Sequence, residues 1–387
     1  MLSIATLLSV VSLTIWVYLT FARGKFWSLS SFDADDTKPV ALPTWPRVVA
    51  IVPARNEAEN IGQAIAALLQ QDYPGEFSAL VVDDHSEDAT SRIALRSAKE
   101  KGAESRFNIH PASALPAGWT GKVWALDQGV HYAIPQAPLF YWFTDADVVH
   151  APDTLRRLIA RAEQEDLDLT SLMVRLHATT LPERALIPAF LFFFLKLYPP
   201  RWIADARNRT AGAAGGCLLL RRVTLERLGG LAAIRSEVID DCALARAVKR
   251  SGGKIWMGLT RTSVSLRTYV TFAEIRDMIA RTAFTQLRYS TLLLLGTLVG
   301  MFLTYVAPIA LLFAYGPSAP IVALAAWLLM SFTFLPAVRF YRLSPLWAPL
   351  LPFAALFYAY ATWLSAVRYW LNRGAQWKGR AQAPRQV

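Results

Sequence analysis

Short continuous apolar runs alternate with helical stripes through the middle of the chain. Uninterrupted apolar stretches bracket that region. Runs at 48–52, 79–82, 139–144 and 217–220 predict buried strands, and a further short strand is expected near 107–110. Pro53 is expected to stop the first. Ile61, Ala64, Ile65, Leu68 and Leu69 fall at i, i+3, i+4, i+7 and i+8, the stripe of a half-buried helix. Further helices are predicted from about Asp88, over 121–132 after a Gly-rich turn, and from Asp240. The last carries Asp240 and Asp241 in its first turn, Lys249 and Arg250 in its last, and ends at Gly252-Gly253. That charge order suits the helix dipole. Strands alternating with helices predict a parallel, doubly wound α/β sheet. Ligands on such sheets bind outside the carboxyl ends of the strands.

Residues 1–22 contain no charged side chain. At ~1.5 Å per residue they can cross a hydrocarbon core of ~30 Å. Arg23 and Lys25 follow, so the positive-inside rule puts the next domain in the cytoplasm. A cleavable signal peptide is disfavoured, because no basic segment precedes the apolar run. Residues 23–46, with Asp33, Asp35, Asp36 and several prolines, read as a linker to an α/β domain over 47–271. Three more candidate spans lie at 291–315, 320–338 and 346–370, within a transmembrane region over 291–371. If all three cross, the basic tail 372–387, with Arg373, Lys378, Arg380 and Arg385, lies outside and conflicts with positive-inside. Either the last segment is re-entrant or one span does not cross.

Two shorter stretches suggest interface helices. Residues 184–203 hold an apolar run ending in Lys196, Tyr198, Arg201 and Trp202, residue types enriched at membrane surfaces. A buried core helix is the alternative. Residues 272–290 place Ile275, Met278, Ile279 and Leu287 on one side of a helix, and Arg281 and Arg288 on another.

Composition strengthens the membrane reading. The 387 residues are 54% hydrophobic and carry a net charge of +11. A membrane protein with basic cytoplasmic edges shows both features. Nucleic acid is not expected as a partner, since the basic residues neither run together nor interleave with aromatics. Cys217 and Cys242 suggest neither a disulfide framework nor a zinc site, which fits a reducing compartment.

The candidate chemistry sits at the predicted strand ends. Asp145 and Asp147 follow the 139–144 strand directly. Two carboxylates so close raise each other's pKa unless a positive charge intervenes. A divalent cation bound to a diphosphate meets that need, because hard cations take carboxylate and phosphate oxygens together. A solvated strand end is the plainer reading of the pair alone. Pro53, Arg55, Asn56 and Glu57 form a polar loop suited to a ribose and a base edge, and equally a helix start. Asp83 and Asp84 precede a helix cap at Ser86 or Asp88, and one of them can accept from a uracil N–H. Lys122 near a helix N-terminus favours an anion. Asp241, at a helix start with Asp240, can deprotonate an attacking hydroxyl. Together these features fit transfer of a sugar from a nucleoside diphosphate. A metal held at Asp145/Asp147 would neutralise the leaving group's developing charge, Asp241 would act as base, and a single displacement would invert the anomeric carbon.

The motifs VAIVPARNEAENI, VVDDHSEDAT, GWTGKVWAL, FTDADV, GGCLLLRR and IDDCALA, in that order, resemble a family 2 glycosyltransferase of the GT-A fold over about residues 47–290. The resemblance implies a Rossmann-like, mostly parallel catalytic domain and a Mg²⁺ or Mn²⁺ ion. It implies metal-diphosphate binding by Asp145 and Asp147, nucleoside contacts from Asp83 and Asp84, and a base at Asp241. Asp240 stands where the family has Glu. Gly215, Gly216, Arg222, Gln286, Arg288 and Tyr289 are expected near the acceptor or the interface. Gln286-Leu287-Arg288-Tyr289 departs from the Q-x-x-R-W signature of processive synthases, which favours transfer of one sugar over polymer synthesis. The arrangement resembles lipid-modifying members, and the motif wording is most similar to bacterial hopanoid-biosynthesis-associated glycosyltransferases. That implies a membrane-lipid acceptor and a multi-pass protein of the bacterial inner membrane with its catalytic domain in the cytoplasm. A non-catalytic scaffold is disfavoured because both Asp147 and Asp241 are present.

Overall fold

The computed structural model describes residues 3–35 and 42–371, and the backbone of 376–377 and 380–381. Asp36 and the side chains of the basic tail lie outside the described residues. The chain divides into two compact units. One is α/β and is built from Phe32–His177 and Trp202–Thr268. The other is helical and takes Ala178–Arg201 with the described parts of Met1–Ser31 and Tyr269–Ala375.

The α/β unit is organised on one eight-stranded sheet. Its strands are β1 (Val48–Ala54), β2 (Phe77–Asp83), β3 (Phe107–Pro111), β4 (Phe140–Thr144), β5 (Val148–Val149), β6 (Leu169–Arg175), β7 (Cys217–Arg221) and β8 (Ile255–Ser265). Their order is β3-β2-β1-β4-β7-β6-β8-β5. The expected strands at 48–52, 79–82, 107–110, 139–144 and 217–220 are all present within a residue or two. Two corrections follow. Pro53 does not stop β1, which pairs with β2 through Ala54. The sheet is also mixed: β3, β2, β1 and β4 are parallel, but β7 runs antiparallel to both β4 and β6.

Strands β6 and β8 were not expected. Thr170 and Ser171 interrupt one, and Thr260, Ser263 and Ser265 the other, yet all five are buried. Their burial comes from sheet neighbours rather than from local hydrophobicity. The helix Gly121–Ala133 lies close on β1 through Gly129, where a Cβ would come within 2.4 Å of Ile51 Cγ2. Residues expected as a linker are partly structured. Asp33 bridges to Leu259, and Asp35 accepts from the Thr260 hydroxyl at 2.8 Å and the Arg261 N–H at 2.7 Å.

Among the described residues of the helical unit, four helices are long and apolar enough to cross a membrane: Ile4–Phe21, Thr291–Phe313, Ser318–Phe340 and Pro345–Trp370. They match the four candidate spans. The second widens into a π-turn at Phe302–Val306 just before Pro308. Pro308 has no N–H to offer the Thr304 carbonyl. Trp16 Nε1–H takes that carbonyl at 2.7 Å, and the Ser12 hydroxyl donates to Leu303 O at 2.8 Å. Backbone groups in an apolar environment need such partners.

The stretch read as one helix over 272–290 is broken. It forms Phe272–Ala280 and Ala283–Gln286. The Ser365 hydroxyl donates to Ala280 O and accepts from Phe284 N–H at 3.1 Å. It therefore occupies the place of the bond those two groups would make to each other, a recognised cause of helix breaks. Arg288 then takes the left-handed region at φ 51°, so it does not share a helical face with Arg281. The other apolar stretch is the helix Leu181–Leu197, with Leu186, Ile187, Leu191, Phe192 and Leu195 buried. A reciprocal cap between Thr180 and Glu183 starts it.

Candidate active site

β1, β2 and β4 are parallel neighbours, so their carboxyl ends open at one edge of the sheet. Asp145 follows β4, and Pro53 lies in the last turn of β1. Gly215, just before β7, reaches the same edge because β7 is antiparallel to β4, with Thr144 opposite Cys217. The helix Asp240–Arg250 presents its first turn here, and Gly121–Ala133 presents Lys122. Pro53, Lys122, Thr144, Asp145, Gly215, Asp240 and Asp241 line one pocket.

Lys122 is the electrostatic centre of this group. Its Nζ lies 2.8 Å from Asp145 Oδ1 and 3.5 Å from Asp240 Oδ2. Burial works to lower its pKa, but Asp145, Asp240 and Asp241 outweigh it and the ammonium is held well above its ordinary value. Asp241 is fixed by two backbone donors: Gly215 N–H to Oδ2 at 2.8 Å and Cys242 N–H to Oδ1 at 2.6 Å. Burial and the neighbouring Asp240 still push its carboxyl up to about 6, against the opposing pull of Lys122. A carboxylate with that pKa suits a general base near neutral pH.

Asp147 points to a different cation. Arg267 Nε lies 3.3 Å from its Oδ2, and Arg267 Nη2 lies 3.3 Å from Glu57 Oε1. Burial and then Asp145 hold the Asp147 carboxyl above its usual range, against Arg267. Asp145 and Asp147 offer hard carboxylate oxygens, the donors that Mg²⁺ and Mn²⁺ take. Among the described residues no group of three His, Cys, Asp or Glu side chains forms a closed cage.

The loops after β1 and β2 form one interlocked surface. Asn56 N–H donates to Ser86 Oγ at 3.0 Å, and Glu87 N–H donates back to Asn56 Oδ1 at 2.9 Å. Asp83 accepts from Ser86 N–H at 2.9 Å and from the Ser91 hydroxyl. Arg55 donates to Asp84 O at 2.5 Å. Asp84 is 0% exposed and faces inward beside Arg55 and His85. From there it braces the loop from within.

Arg222 and Gly216 are placed differently from Gly215. Arg222 follows the far end of β7, where its N–H donates to Leu139 O at 2.9 Å. The antiparallel strand sends its start to the pocket and its end away, roughly 17 Å over five residues. Gly216 is packed inside, its carbonyl accepting from the Thr144 hydroxyl at 3.0 Å. Gln286, Arg288 and Tyr289 belong to the helical unit. There Gln286 Nε2 donates to Tyr198 Oη at 2.7 Å, and Tyr289 stacks on Tyr369.

Sequence reasoning missed Arg267 and a buried brace beneath Asp145. Thr144 Oγ1 lies 2.7 Å from His150 Nε2, and His150 Nδ1 lies 3.1 Å from Ser263 Oγ. Burial lowers the His150 pKa to about 3, so the ring is neutral. Thr144 spends its proton on Gly216 O, hence Nε2 donates and Nδ1 accepts. A lone His carries no sequence signal for this role, and Arg267 follows a strand that local pattern did not reveal.

Residues 49–229 match the Glycosyl transferase family 2 model. Over 199 residues the chain is 27% identical to an N-acetylglucosaminyltransferase of Mesorhizobium japonicum, covering 49% of this chain and 43% of that protein. Over 52 residues it is 46% identical to the glycosyltransferase AglE of Haloferax volcanii, covering 13% and 17% respectively. The chain thus spans less than half the length of these curated relatives. Among solved structures it is similar to the mannosyltransferase PcManGT from Pyrobaculum calidifontis in complex with GDP-Man and Mn²⁺. The TM-score is 0.58 at 19% identity, over 93% of this chain and 99% of that one. The mixed sheet with flanking helices is accordingly a GT-A-like, Rossmann-like fold, and the similarity to family 2 glycosyltransferases lies in residues 49–229.

Proposed function

We propose that the protein is a membrane-bound, inverting glycosyltransferase that moves one sugar from a nucleotide-sugar to a lipid acceptor. One observation carries this reading: Asp241, with its raised pKa, shares a pocket with the Lys122–Asp145 pair. A base and a diphosphate anchor so close together suit a single displacement. Asp241 takes the proton of the acceptor hydroxyl as that oxygen attacks the anomeric carbon. The bond to the diphosphate oxygen breaks on the opposite face. Lys122 supplies positive charge where the leaving group gains negative charge. Asp145 and Asp147 would hold a Mg²⁺ or Mn²⁺ ion, which offsets diphosphate charge when bound.

Four apolar helices support a multi-pass membrane protein, and Arg23 and Lys25 support a cytoplasmic catalytic domain. A UDP-sugar is the leading donor. The GDP-Man in the similar mannosyltransferase structure makes GDP-mannose the second to test. A hopanoid is the narrowest acceptor reading and rests on motif wording alone.

Membranes containing the protein, incubated with a panel of UDP- and GDP-sugars, should yield a lipid one hexose heavier by mass spectrometry. Asp241→Asn should abolish that product while nucleotide binding persists. A polymeric product, or turnover unchanged by the substitution, would overturn the reading.

A further inference from the structure

The two carboxylates of the Asp145-Ala146-Asp147 turn are each met by a cation of the chain itself. Those two cations are held very differently. Lys122 is 17% exposed and has Asp240 as well as Asp145 within 3.5 Å. Arg267 is 33% exposed and reaches Asp147 and Glu57 at 3.3 Å each. Its backbone is positioned independently of those contacts. Val148 pairs with Ser265 across β5 and β8, Leu266 N–H donates to Asp147 O at 2.6 Å, and Arg267 N–H donates to Ser265 Oγ at 3.3 Å. The side chain is thus delivered to Asp147 by the sheet, with Glu57 as a second carboxylate within its reach.

We propose that Arg267 is a displaceable internal counter-ion, which occupies Asp147 in the metal-free protein and withdraws to Glu57 when a divalent cation arrives. This rests on the reading of Asp145 and Asp147 as the metal pair. A guanidinium and a divalent cation compete for the same carboxylate oxygen, so Arg267 weakens metal binding in the absence of donor. Glu57 opposes it, because a nearby carboxylate that retains the guanidinium lowers the cost of leaving Asp147. Lys122 is set apart by its shorter 2.8 Å contact to Asp145 and its lower exposure, 17% against 33% for Arg267.

The test is Mn²⁺ titration of the full-length protein in detergent, without nucleotide, reading free Mn²⁺ by electron paramagnetic resonance. Arg267→Gln should tighten Mn²⁺ binding by about two- to fivefold, the scale of one partly exposed charge pair. Glu57→Gln should weaken it, by leaving Arg267 on Asp147. In the Arg267→Gln background the Glu57 substitution should have no further effect, a non-additivity that a general loss of structure does not produce. Equal or weaker binding by Arg267→Gln, or additive effects in the double variant, overturns the inference. Asp147→Asn separates the two levels. If it binds Mn²⁺ as the wild type does, the metal pair itself is misassigned. If it loses binding while Arg267→Gln changes nothing, only the counter-ion role fails.

Discussion

Gly215 donates its backbone N–H to Asp241 Oδ2 at 2.8 Å, and the absence of a side chain at 215 is what permits the approach. A Cβ there would stand 3.2 Å from Asp241 Oδ2 and 3.3 Å from Lys122 Nζ. Both neighbours would have to yield by a few tenths of an ångström. Gly215→Ala is expected to lower kcat by about tenfold or more, because small misplacements of a catalytic group are costly. Thermal denaturation should shift little. An alanine variant with wild-type turnover would show that Asp241 tolerates displacement.

The raised pKa of Asp241, about 6, sets a pH dependence for both activity and stability. As a base it must be ionised, so kcat/KM should fall below about pH 6. The stability effect has the opposite sense. The native state holds this proton more tightly than the unfolded chain, whose carboxyl titrates near 3.8. The contribution is therefore fully present below the unfolded pKa and is lost as pH rises through about 6. Asp241→Asn removes that loss. Its Tm relative to wild type should rise between pH 4 and pH 7 and level off beyond. A difference that is flat across this window would place the titration elsewhere.

Lys122→Met leaves Asp145, Asp240 and Asp241 facing one another without their shared cation. Breaking a buried ion pair by removing one partner typically costs about 3–5 kcal/mol. The cost should be largest at high pH, where all three acids are ionised. In whatever activity remains, the acid limb of the pH profile should move above its wild-type position, since Lys122 lowers the Asp241 pKa. An unmoved limb would mean that Lys122 does not act on the base.

In the helical unit, Glu183 accepts from Thr179 N–H at 2.9 Å, Thr180 N–H at 3.0 Å and Tyr269 N–H at 2.7 Å, and it has no exposed surface. Glu183→Ala strands those donors. It should destabilise the protein by about 2–4 kcal/mol, as expected for losing a charged acceptor of several buried bonds. Glu183→Gln should cost less, because an amide oxygen still accepts. Scanning calorimetry in detergent would rank the three proteins.

Local pattern by itself determined the elements whose burial is continuous or strictly periodic. Residues 48–52, 79–82 and 139–143 are unbroken apolar runs and become the bodies of β1, β2 and β4. The four candidate spans become long helices for the same reason. Acids at two strand ends, and a helix opening at Asp240, were equally visible, because strand ends and caps leave local signatures. Strand direction and neighbour choice leave none. Only the tertiary structure turned β7 against β4, which brings Gly215 to Asp241 and carries Arg222 away. Only it buried the polar residues of β6 and β8, and so delivered Arg267 to Asp147. It also turned Asp84 inward and placed Ser365 where the 272–290 helix would otherwise continue. These outcomes depend on hydrogen-bond partners far apart in the chain, and a residue's own neighbours in sequence do not specify them.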